Sequence, residues 1–313
     1  MHVPVLLQEA VDALAIKPGG IYVDATFGRG GHSRLILSKL DGQGRLIALD
    51  RDLAAVASGE AITDPRFCIR HSSFSKLRTV LQVLGITKVD GVLLDLGVSS
   101  PQLEEASRGF SFQLTGELDM RMDTSSGQTA AAWLAVVTED QLTEVIKTYG
   151  EERFAKQIAK AIVSARAQQP IATTAQLAGI VAAAVHSRQQ DGGKHSATRA
   201  FQAIRIYLNR ELEELSLVLP YCVELLNPGG RLVVISFHSL EDRMVKRFMR
   251  TVASADDFPR NVPLRQDELQ RLSKQTLRII GKAIRPGQLE VTENARARSA
   301  VMRVAEKLAE TSA

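Results

Sequence analysis

The chain has 313 residues, of which 45% are hydrophobic and 24% charged, a composition typical of a globular protein with one large domain or two moderate ones. Its two cysteines, Cys68 and Cys222, are far apart, which argues against a disulfide framework or a cysteine zinc site and indicates a reducing, cytoplasmic setting. The start of the chain lacks a basic leader and the apolar run LAGIVAAAVH is too short to cross a bilayer, so neither secretion nor membrane insertion is expected.

The net charge of +4 is unevenly distributed along the chain. Between Arg231 and Lys307 there are about 16 basic and about 9 acidic residues, roughly +7, so the remainder is slightly acidic. A basic segment suits a polyanion such as nucleic acid, because each neutralised phosphate releases a counterion. Chance clustering on a solvated surface accounts for the pattern equally well.

Five short apolar runs are typical of buried parallel strands, and helical patterns separate most of them. The runs cover residues 21–27, 45–50, 66–71, 89–97 and 230–237, and the first three are followed by helical patterns at 32–40, 53–62 and 74–86. This alternation predicts an α/β fold with a mostly parallel, doubly wound sheet and right-handed crossovers.

The alternation stops for about a hundred residues in the middle of the chain. From about Ser107 to Leu208 the sequence is rich in Ala and Gln, with helical periodicity and no convincing strand. We predict an all-helical inserted domain over 107–208, which divides the sheet domain into residues 1–106 and 209–313. Near the end of the chain, QTLRIIGKAI and SAVMRVAEKL predict two more strands, joined by a loop short enough for an antiparallel pair.

The stretch YVDATFGRGGHSRL places a glycine-rich turn between a predicted strand and a predicted helix. Ligands of doubly wound folds bind at such turns, where backbone N–H groups and a helix N-terminus meet the carboxyl edge of the sheet. Gly28, Gly30 and Gly31 match the dinucleotide fingerprint only in part, because no third glycine follows at the required spacing. A nicotinamide oxidoreductase is therefore a disfavoured alternative, and a plain tight turn is the other interpretation of these glycines.

The first apolar run ends in Asp24, just before the glycines, and acidic residues also end two later predicted strands. Asp50 follows the glycines by about twenty residues, where a carboxylate can accept two hydrogen bonds from a ribose diol, and it predicts nucleoside binding. Phe74 lies at the same edge and suits an adenine face, although a single Phe in an apolar segment is more often core. Asp95 ends the fourth strand, and its charge needs either a ligand or a role in capping the next segment.

Several sequence blocks resemble the signatures of the bacterial RsmH (MraW) family of S-adenosyl-L-methionine-dependent methyltransferases. The blocks are HVPVLLQEAV, DATFGRGGHS, LDRD, LLDLGVSSPQLEEASRGFSF, LDMRMD, YGEERFAKQIAKAIV, TRAFQAIRIYLNRELEEL, SFHSLEDRMVKRFMR and NARARSA, which together span nearly the whole chain. The resemblance implies a Rossmann-like fold with a helical insertion for substrate recognition. It also implies methylation of the exocyclic N4 amine of a cytidine in the decoding centre of 16S rRNA.

The same resemblance implies roles for individual residues. The expected cofactor contacts are Gly28, Gly30, Gly31 and His32 beside the first strand, Asp50 on the ribose, Phe74 against the adenine, and Asp95 with Gln102 on the methionine side. The expected partner is 16S rRNA or the small ribosomal subunit, with no membrane and no obligate protein partner. Neither a metal site nor a role for residues 251–275 is predicted.

Asp95 is also the candidate catalytic residue, with a backbone carbonyl in residues 96–98 as the alternative acceptor. Methyl transfer mainly requires alignment of the reacting atoms and hydrogen-bond acceptors that turn the conjugated cytosine amine out of the ring plane. Many amino-methylating enzymes carry an Asp/Asn-Pro-Pro-aromatic motif at this strand end, whereas this chain reads DLGV from Asp95. The residue that stacks on the base is therefore not identified.

Other residues are candidates for contact with RNA. Three basic groups suit phosphate contacts: Arg199, Arg205 and Arg210; Arg243, Lys246, Arg247 and Arg250; and Arg296 with Arg298. Four aromatic residues suit the walls of a pocket for an unstacked base, although packing is their commoner role: Phe110, Phe112, Trp133 and Tyr149. His238 and Glu241 are interpreted as pocket-forming. A non-catalytic rRNA-binding or assembly factor is the second alternative function.

Overall fold

A computed structural model describes residues 4–185, 196–254 and 275–309. The chain divides into two compact units, one formed by residues 1–97 and 213–313 and the other by residues 98–212. The predicted inserted domain, 107–208, lies within the second unit. The predicted role of that domain in substrate recognition stays a prediction. Among the described residues, no helix combines the length and the apolarity that a membrane span requires.

The described part of the first unit contains seven strands that form a single sheet. They are β1 (Ile21–Asp24), β2 (Arg45–Asp50), β3 (Phe67–His71), β4 (Val89–Asp95), β5 (Leu226–Ser236), β6 (Leu277–Ile279) and β7 (Val301–Lys307). Their order in the sheet is β3-β2-β1-β4-β5-β7-β6. All pairings are parallel except those of β7, which runs antiparallel to β5 and β6. The predicted doubly wound sheet with a final antiparallel pair is confirmed.

Thirteen α-helices occur in the described residues. They are α1 (Leu7–Ala13), α2 (Gly31–Lys39), α3 (Leu53–Glu60), α4 (Leu77–Val83), α5 (Ser100–Glu104), α6 (Ala130–Val136), α7 (Glu139–Gly150), α8 (Ala155–Arg166), α9 (Thr174–Val185), α10 (Ser196–Leu208), α11 (Glu211–Leu225), α12 (Ser239–Ala253) and α13 (Gln288–Glu293). Single turns of 3₁₀ helix accompany α4, α5 and α13.

Apolar side chains cover both faces of the sheet, which explains why its strands read as continuous apolar runs. One face packs against α4, α11 and α12, and its core includes Leu81, Val218 and Val245. The opposite face packs against α1 and α2, and its core includes Val11 and Ile36. These are called the α12 face and the α2 face below.

The second unit is helical and has a core of its own. Helices α6 to α10 bury Trp133, Ile158, Leu177 and Ile204 in one cluster. The described part of this unit contains no strand, only an isolated bridge between Glu117 and Thr173. The predicted inserted helices are present because their apolar residues recur at helical spacing.

The last two strands differ in length from the sequence prediction. The predicted strand over 275–284 is only three residues long in the structure, because Gly281 adopts a left-handed backbone with φ of +65° and ends the pairing. Ile284 then forms a single bridge with Met302. The connection to β7, expected to be a loop, contains α13 and a 3₁₀ turn, and the two strands pair antiparallel as predicted.

Candidate active site at the carboxyl edge of the sheet

Three aspartates lie at the carboxyl ends of neighbouring strands. Strand register pairs Asp24 of β1 with Ala48 of β2 and with Leu93 of β4. Asp50 and Asp95 therefore lie two residues beyond Asp24, on the strands to either side of it. Because β1 separates them, their backbones are about 10 Å apart, two strand spacings.

All three carboxylates face the same side of the sheet. The residue before each acid packs into the core on the α12 face: Val23, Leu49 and Leu94. Since successive side chains alternate between the faces of a strand, the three acids point to the α2 face. The strand order reverses between β1 and β4, where sheets of this type bind their ligands.

Asp50 is tied to the glycine turn. Its Oδ2 accepts a hydrogen bond from the Gly28 N–H at 2.7 Å, and its Oδ1 accepts one from the Asp52 N–H at 2.8 Å. Burial raises the pKa of Asp50 against the effect of these hydrogen bonds. Each carboxylate oxygen has a second lone pair, so the side chain can still accept two hydroxyl groups.

The three predicted glycines are needed for different reasons. Gly28 has φ of +57°, and a side chain placed there would meet nothing within 4 Å. Gly30 also has a left-handed backbone, and a side chain on it would strike the ring of Phe27. A side chain on Gly31 would strike Pro4. Packing within the first unit thus explains Gly30 and Gly31, whereas Gly28 borders open space beside Asp50.

Asp24 forms a buried pair that the sequence analysis missed as a site feature. Its Oδ2 accepts the Ser33 hydroxyl at 2.6 Å, and its Oδ1 accepts the Thr26 N–H at 3.2 Å. Burial raises the pKa of Asp24 to about 6, despite these two hydrogen bonds and with a further contribution from the charge of Asp50. The signal was present in the sequence, because Asp24 ends its strand as Asp50 and Asp95 do.

Asp95 is the least satisfied of the three acids. Its Oδ1 is buried and has no hydrogen-bond partner among the described residues, yet the side chain as a whole is 22% exposed. Its Oδ2 lies 3.6 Å from Nδ1 of His32, too far for a hydrogen bond. Burial raises the pKa of Asp95 well above its ordinary value, and the charges of Asp24 and Glu241 raise it further.

His32 lies beside Asp95 as a neutral ring. Burial lowers the pKa of His32 to about 4, although the carbonyl of Val5 favours the protonated form. Its Nε2 is buried and has no hydrogen-bond partner among the described residues. His32 therefore does not neutralise Asp95 near pH 7, and two unsatisfied polar atoms lie close together at this edge.

Asp95 does not cap the helix that follows it. Helix α5 begins at Ser100, and its N-cap is Ser99. In the second unit, the predicted cofactor contact Gln102 accepts a hydrogen bond from the Ser99 N–H at 2.9 Å, which is a local capping interaction.

Phe74 lies in a 3₁₀ turn after β3, half-buried and packed against the core of the α12 face. The cofactor roles of Gln102 and Phe74 stay predictions.

His238 and Glu241 form a capping box at the start of α12. Glu241 Oε2 accepts the Phe237 N–H at 2.8 Å, and His238 Nδ1 accepts the Glu241 N–H at 3.4 Å. Their first function is therefore to fix the beginning of this helix beside the end of β5.

The basic groups predicted for phosphate contact differ in what they already bind. In the second unit, Arg205 donates two hydrogen bonds to Glu211, at 2.7 and 2.8 Å, and Arg199 lies 3.4 Å from Glu152. These cations are largely used within the fold. The basic residues of α12, described below, and the pair Arg296 and Arg298 are mostly exposed.

The aromatic candidates pack within the second unit. Phe110 and Trp133 are buried, with 6% and 3% of their surfaces exposed. Phe112 contacts Phe201 edge to face, and Tyr149 lies near Tyr207. Packing, the commoner role, accounts for all four.

Comparison with known proteins identifies the family. A family model described as the MraW methylase family matches residues 1–308. The chain belongs to this family. It is 67% identical over 307 residues to the ribosomal RNA small subunit methyltransferase H of Nitrosospira multiformis, covering 98% of this chain and 97% of that protein. It is 62% identical to the protein of the same name from Thiobacillus denitrificans, covering 100% and 99%.

Membership in the family settles the class of chemistry. The chain is an S-adenosyl-L-methionine-dependent methyltransferase, as the sequence predicted. The site fits this cofactor, because Asp50 retains acceptors for a ribose diol, Gly28 leaves open space beside it, and Oδ1 of Asp95 has no hydrogen-bond partner among the described residues. The nicotinamide alternative is set aside, since the family is one of methylases.

Proposed function

We propose that this chain methylates the exocyclic N4 amine of a cytidine in the decoding centre of 16S rRNA, with S-adenosyl-L-methionine as methyl donor, in the cytoplasm. Oδ1 of Asp95, which has no hydrogen-bond partner in the described part of the chain, supports this most directly, because an amine with two N–H groups can donate to it. The relatives named as methyltransferases of small-subunit ribosomal RNA support the choice of RNA.

The residues that hold the cofactor follow from the geometry of the edge. Asp50 would accept the two ribose hydroxyls, while its hydrogen bonds to the backbone of Gly28 and Asp52 keep the carboxylate in position. Asp24 and Asp95 would favour the positive charge of the sulfonium. When bound, the cofactor supplies a methyl group activated by a neutral, readily displaced thioether.

Asp95 would act on the attacking amine. The lone pair of a cytosine amine is delocalised into the ring, so a hydrogen bond from the amine to Asp95 would help turn it out of plane. As the N–C bond forms and the S–C bond breaks, the amine becomes cationic and must lose a proton. Asp95, whose pKa is raised by burial, would accept that proton.

Neighbouring residues would keep Asp95 available for this role. Because His32 is neutral near pH 7, it forms no ion pair that would compete with the substrate for the carboxylate. The backbone of Asp95 is fixed by its N–H, which donates to the Thr26 hydroxyl at 2.6 Å. Holding the amine, the methyl group and the sulfur in line can contribute roughly 7–11 kcal/mol through effective molarity.

The function is tested by transfer of labelled methyl from the cofactor to 16S rRNA, supplied both free and in small subunits from cells that lack the enzyme. We expect one labelled nucleotide, identified by mass spectrometry as N4-methylated cytidine. Label on another base, or on a ring carbon or ribose oxygen, would contradict the proposal. A protein that binds the cofactor and rRNA but transfers no label to either substrate would favour the assembly factor.

A further inference from the structure

Helix α12 carries its basic residues on one side. Its apolar side chains Val245 and Met249 are buried in the core of the α12 face. Four basic residues form the basic stripe on the outer side: Arg243, Lys246, Arg247 and Arg250. At 100° per residue they fall within an arc of about 100°, spread along about 10 Å of helix. The three arginines are exposed and Lys246 is half-buried.

The two acidic residues of α12 bind groups outside this stripe. Glu241 is only 2% exposed, and its carboxylate accepts hydrogen bonds from the backbone of Phe237 and His238. Asp242 is held by Arg303 through two hydrogen bonds of 2.7 and 3.0 Å. The exposed side of α12 is therefore positive without an interspersed anion from the helix itself.

Most of the stripe also lacks acidic partners from elsewhere. Within residues 4–185, 196–254 and 275–309, Lys246, Arg247 and Arg250 form no ion pair. Some other basic side chains of the described residues are paired, such as Arg205 with Glu211. A solvated helix face usually mixes charges of both signs, so a run of four cations is the feature that needs an explanation.

The stripe begins near the candidate active site. In the sheet, Ile235 of β5 pairs with Asp95, and α12 starts only four residues later, at Ser239. The charge of Glu241, in the first turn of α12, also influences the pKa of Asp95. Arg243 is thus about one helical turn from the carboxyl edge, and the stripe runs from there along the outer side of the α12 face.

We propose that the basic stripe of α12 binds the phosphate backbone of the substrate RNA next to the nucleotide that is methylated. This inference rests on the proposed function and adds the surface that holds the polymer. Guanidinium groups suit this task, because their planar donors match phosphate oxygens. The stripe would position the strand without reading its sequence, while the base reaches the carboxyl edge beside Asp95.

The test compares two double charge reversals in the full-length protein. The stripe variant is Arg247→Glu with Arg250→Glu. The matched control is Arg45→Glu with Lys88→Glu, which changes two exposed cations at the amino edge of the same sheet by the same total charge. Binding of S-adenosylhomocysteine by calorimetry, RNA affinity as a function of salt, and KM and kcat for methyl transfer are measured for each.

For the stripe variant we expect RNA affinity to fall about tenfold or more near 0.1 M salt, with cofactor affinity unchanged. The slope of log affinity against log salt should decrease by about 1.4 to 1.8, since each lost phosphate contact removes about 0.7 to 0.9. KM for RNA should rise while kcat stays within about twofold. The control variant should match the wild-type protein in all these quantities, apart from a small general effect of net charge.

Distinct results separate the failure of this inference from that of the proposed function. If the wild-type protein methylates 16S rRNA but the stripe variant keeps its RNA affinity and salt slope, the stripe does not bind RNA. The same conclusion follows if the control is impaired equally. A raised KM with an unchanged salt slope would indicate contact with a ribosomal protein instead and would also overturn the inference. If the charge reversals prevent folding, Arg247→Ala with Arg250→Ala should show the same changes at smaller size.

Discussion

The two ends of β4 place the same residue type in opposite situations. At the amino end, Asp90 accepts hydrogen bonds from the Ile21 N–H, Lys17 Nζ and Asn227 Nδ2. Burial would raise the pKa of Asp90, but these donors outweigh it and keep the pKa below the ordinary value. Five residues later, Asp95 has an oxygen without a partner among the described residues, and its pKa is raised.

This contrast separates a structural carboxylate from a functional one. Asp90 joins β1, β4 and the start of β5, and its charge is compensated within the fold. Asp95 leaves part of its charge uncompensated at the carboxyl edge, which costs stability and leaves an acceptor for a ligand. Substitutions at the two ends of the sheet should therefore have opposite consequences for activity and for stability.

The largest effect is expected at Asp95. Asp95→Asn should lower kcat for methyl transfer by about 10³-fold, because the amide cannot take the proton and has one accepting oxygen where the carboxylate has two. Its melting temperature should equal or exceed that of the wild-type protein, since a poorly compensated charge is removed. A variant with more than a tenth of wild-type kcat would rule out the catalytic role of this residue.

Asp24 should resemble Asp95 in its effect on stability. Its pKa is about 6 in the folded protein against an ordinary value of 3.8, so the folded state holds its proton to higher pH. Wild-type stability should therefore decrease by about 2.5 kcal/mol from this group as pH rises from about 4 to 7. In urea denaturation, the free energy of unfolding of Asp24→Asn should lack this decrease with pH, even if the variant differs in stability from the wild-type protein at pH 4. Parallel pH profiles for the two proteins would show that Asp24 ionises normally.

Asp50 should control cofactor affinity rather than catalysis alone. We expect Asp50→Ala to weaken binding of S-adenosylhomocysteine about 100-fold, because two hydrogen bonds to the ribose and the anchor for the Gly28 turn are lost. Calorimetry measures this directly. Asp64→Ala, which removes a surface carboxylate paired with Arg66, is the matched control and should bind normally. Equal affinity in both variants would show that the ribose lies elsewhere.

The smallest effect is expected at Asp90. Asp90→Asn should lower the free energy of unfolding by about 1–2 kcal/mol, since one acceptor and the ion pair with the exposed Lys17 are lost. Its kcat and cofactor affinity should remain those of the wild-type protein. A loss of activity larger than the loss of stability explains would break the distinction between the two ends of β4.

Much of the first unit could be predicted from sequence because its signals are local. Apolar runs, their spacing and the acids that end them are readable directly, and parallel strands bring those acids to one edge. The sequence predicts Asp50 and Asp95 at that edge. Asp24 also ends an apolar run, but no role is predicted for it. Its hydrogen bond to Ser33, nine residues away, appears only when the turn is folded.

Other features depend on contacts that sequence does not reveal. A side chain on Gly30 would clash with the ring of Phe27, and one on Gly31 would clash with Pro4, so packing explains both glycines. Arg205 looked available for phosphate, yet it pairs with Glu211 six residues later, across the junction of α10 and α11. Lys246, Arg247 and Arg250 of α12 are also basic, but they form no ion pair with the described residues. Spacing can place such cations on a face, whereas only packing shows whether an acid opposes them.

The insertion between β4 and β5 affects the order in which the protein folds during its synthesis. About 130 residues separate the end of β4 from the beginning of β5, which a ribosome adds in roughly 7–26 s at about 5–20 residues per second. In the folded chain β5 pairs with one edge of β4, so until β5 is made that edge has no partner strand, and unpaired edges are prone to aggregation. The helical unit, with its own core, is complete before β5 emerges. Nascent chains should therefore be most dependent on chaperones while this unit is being synthesised.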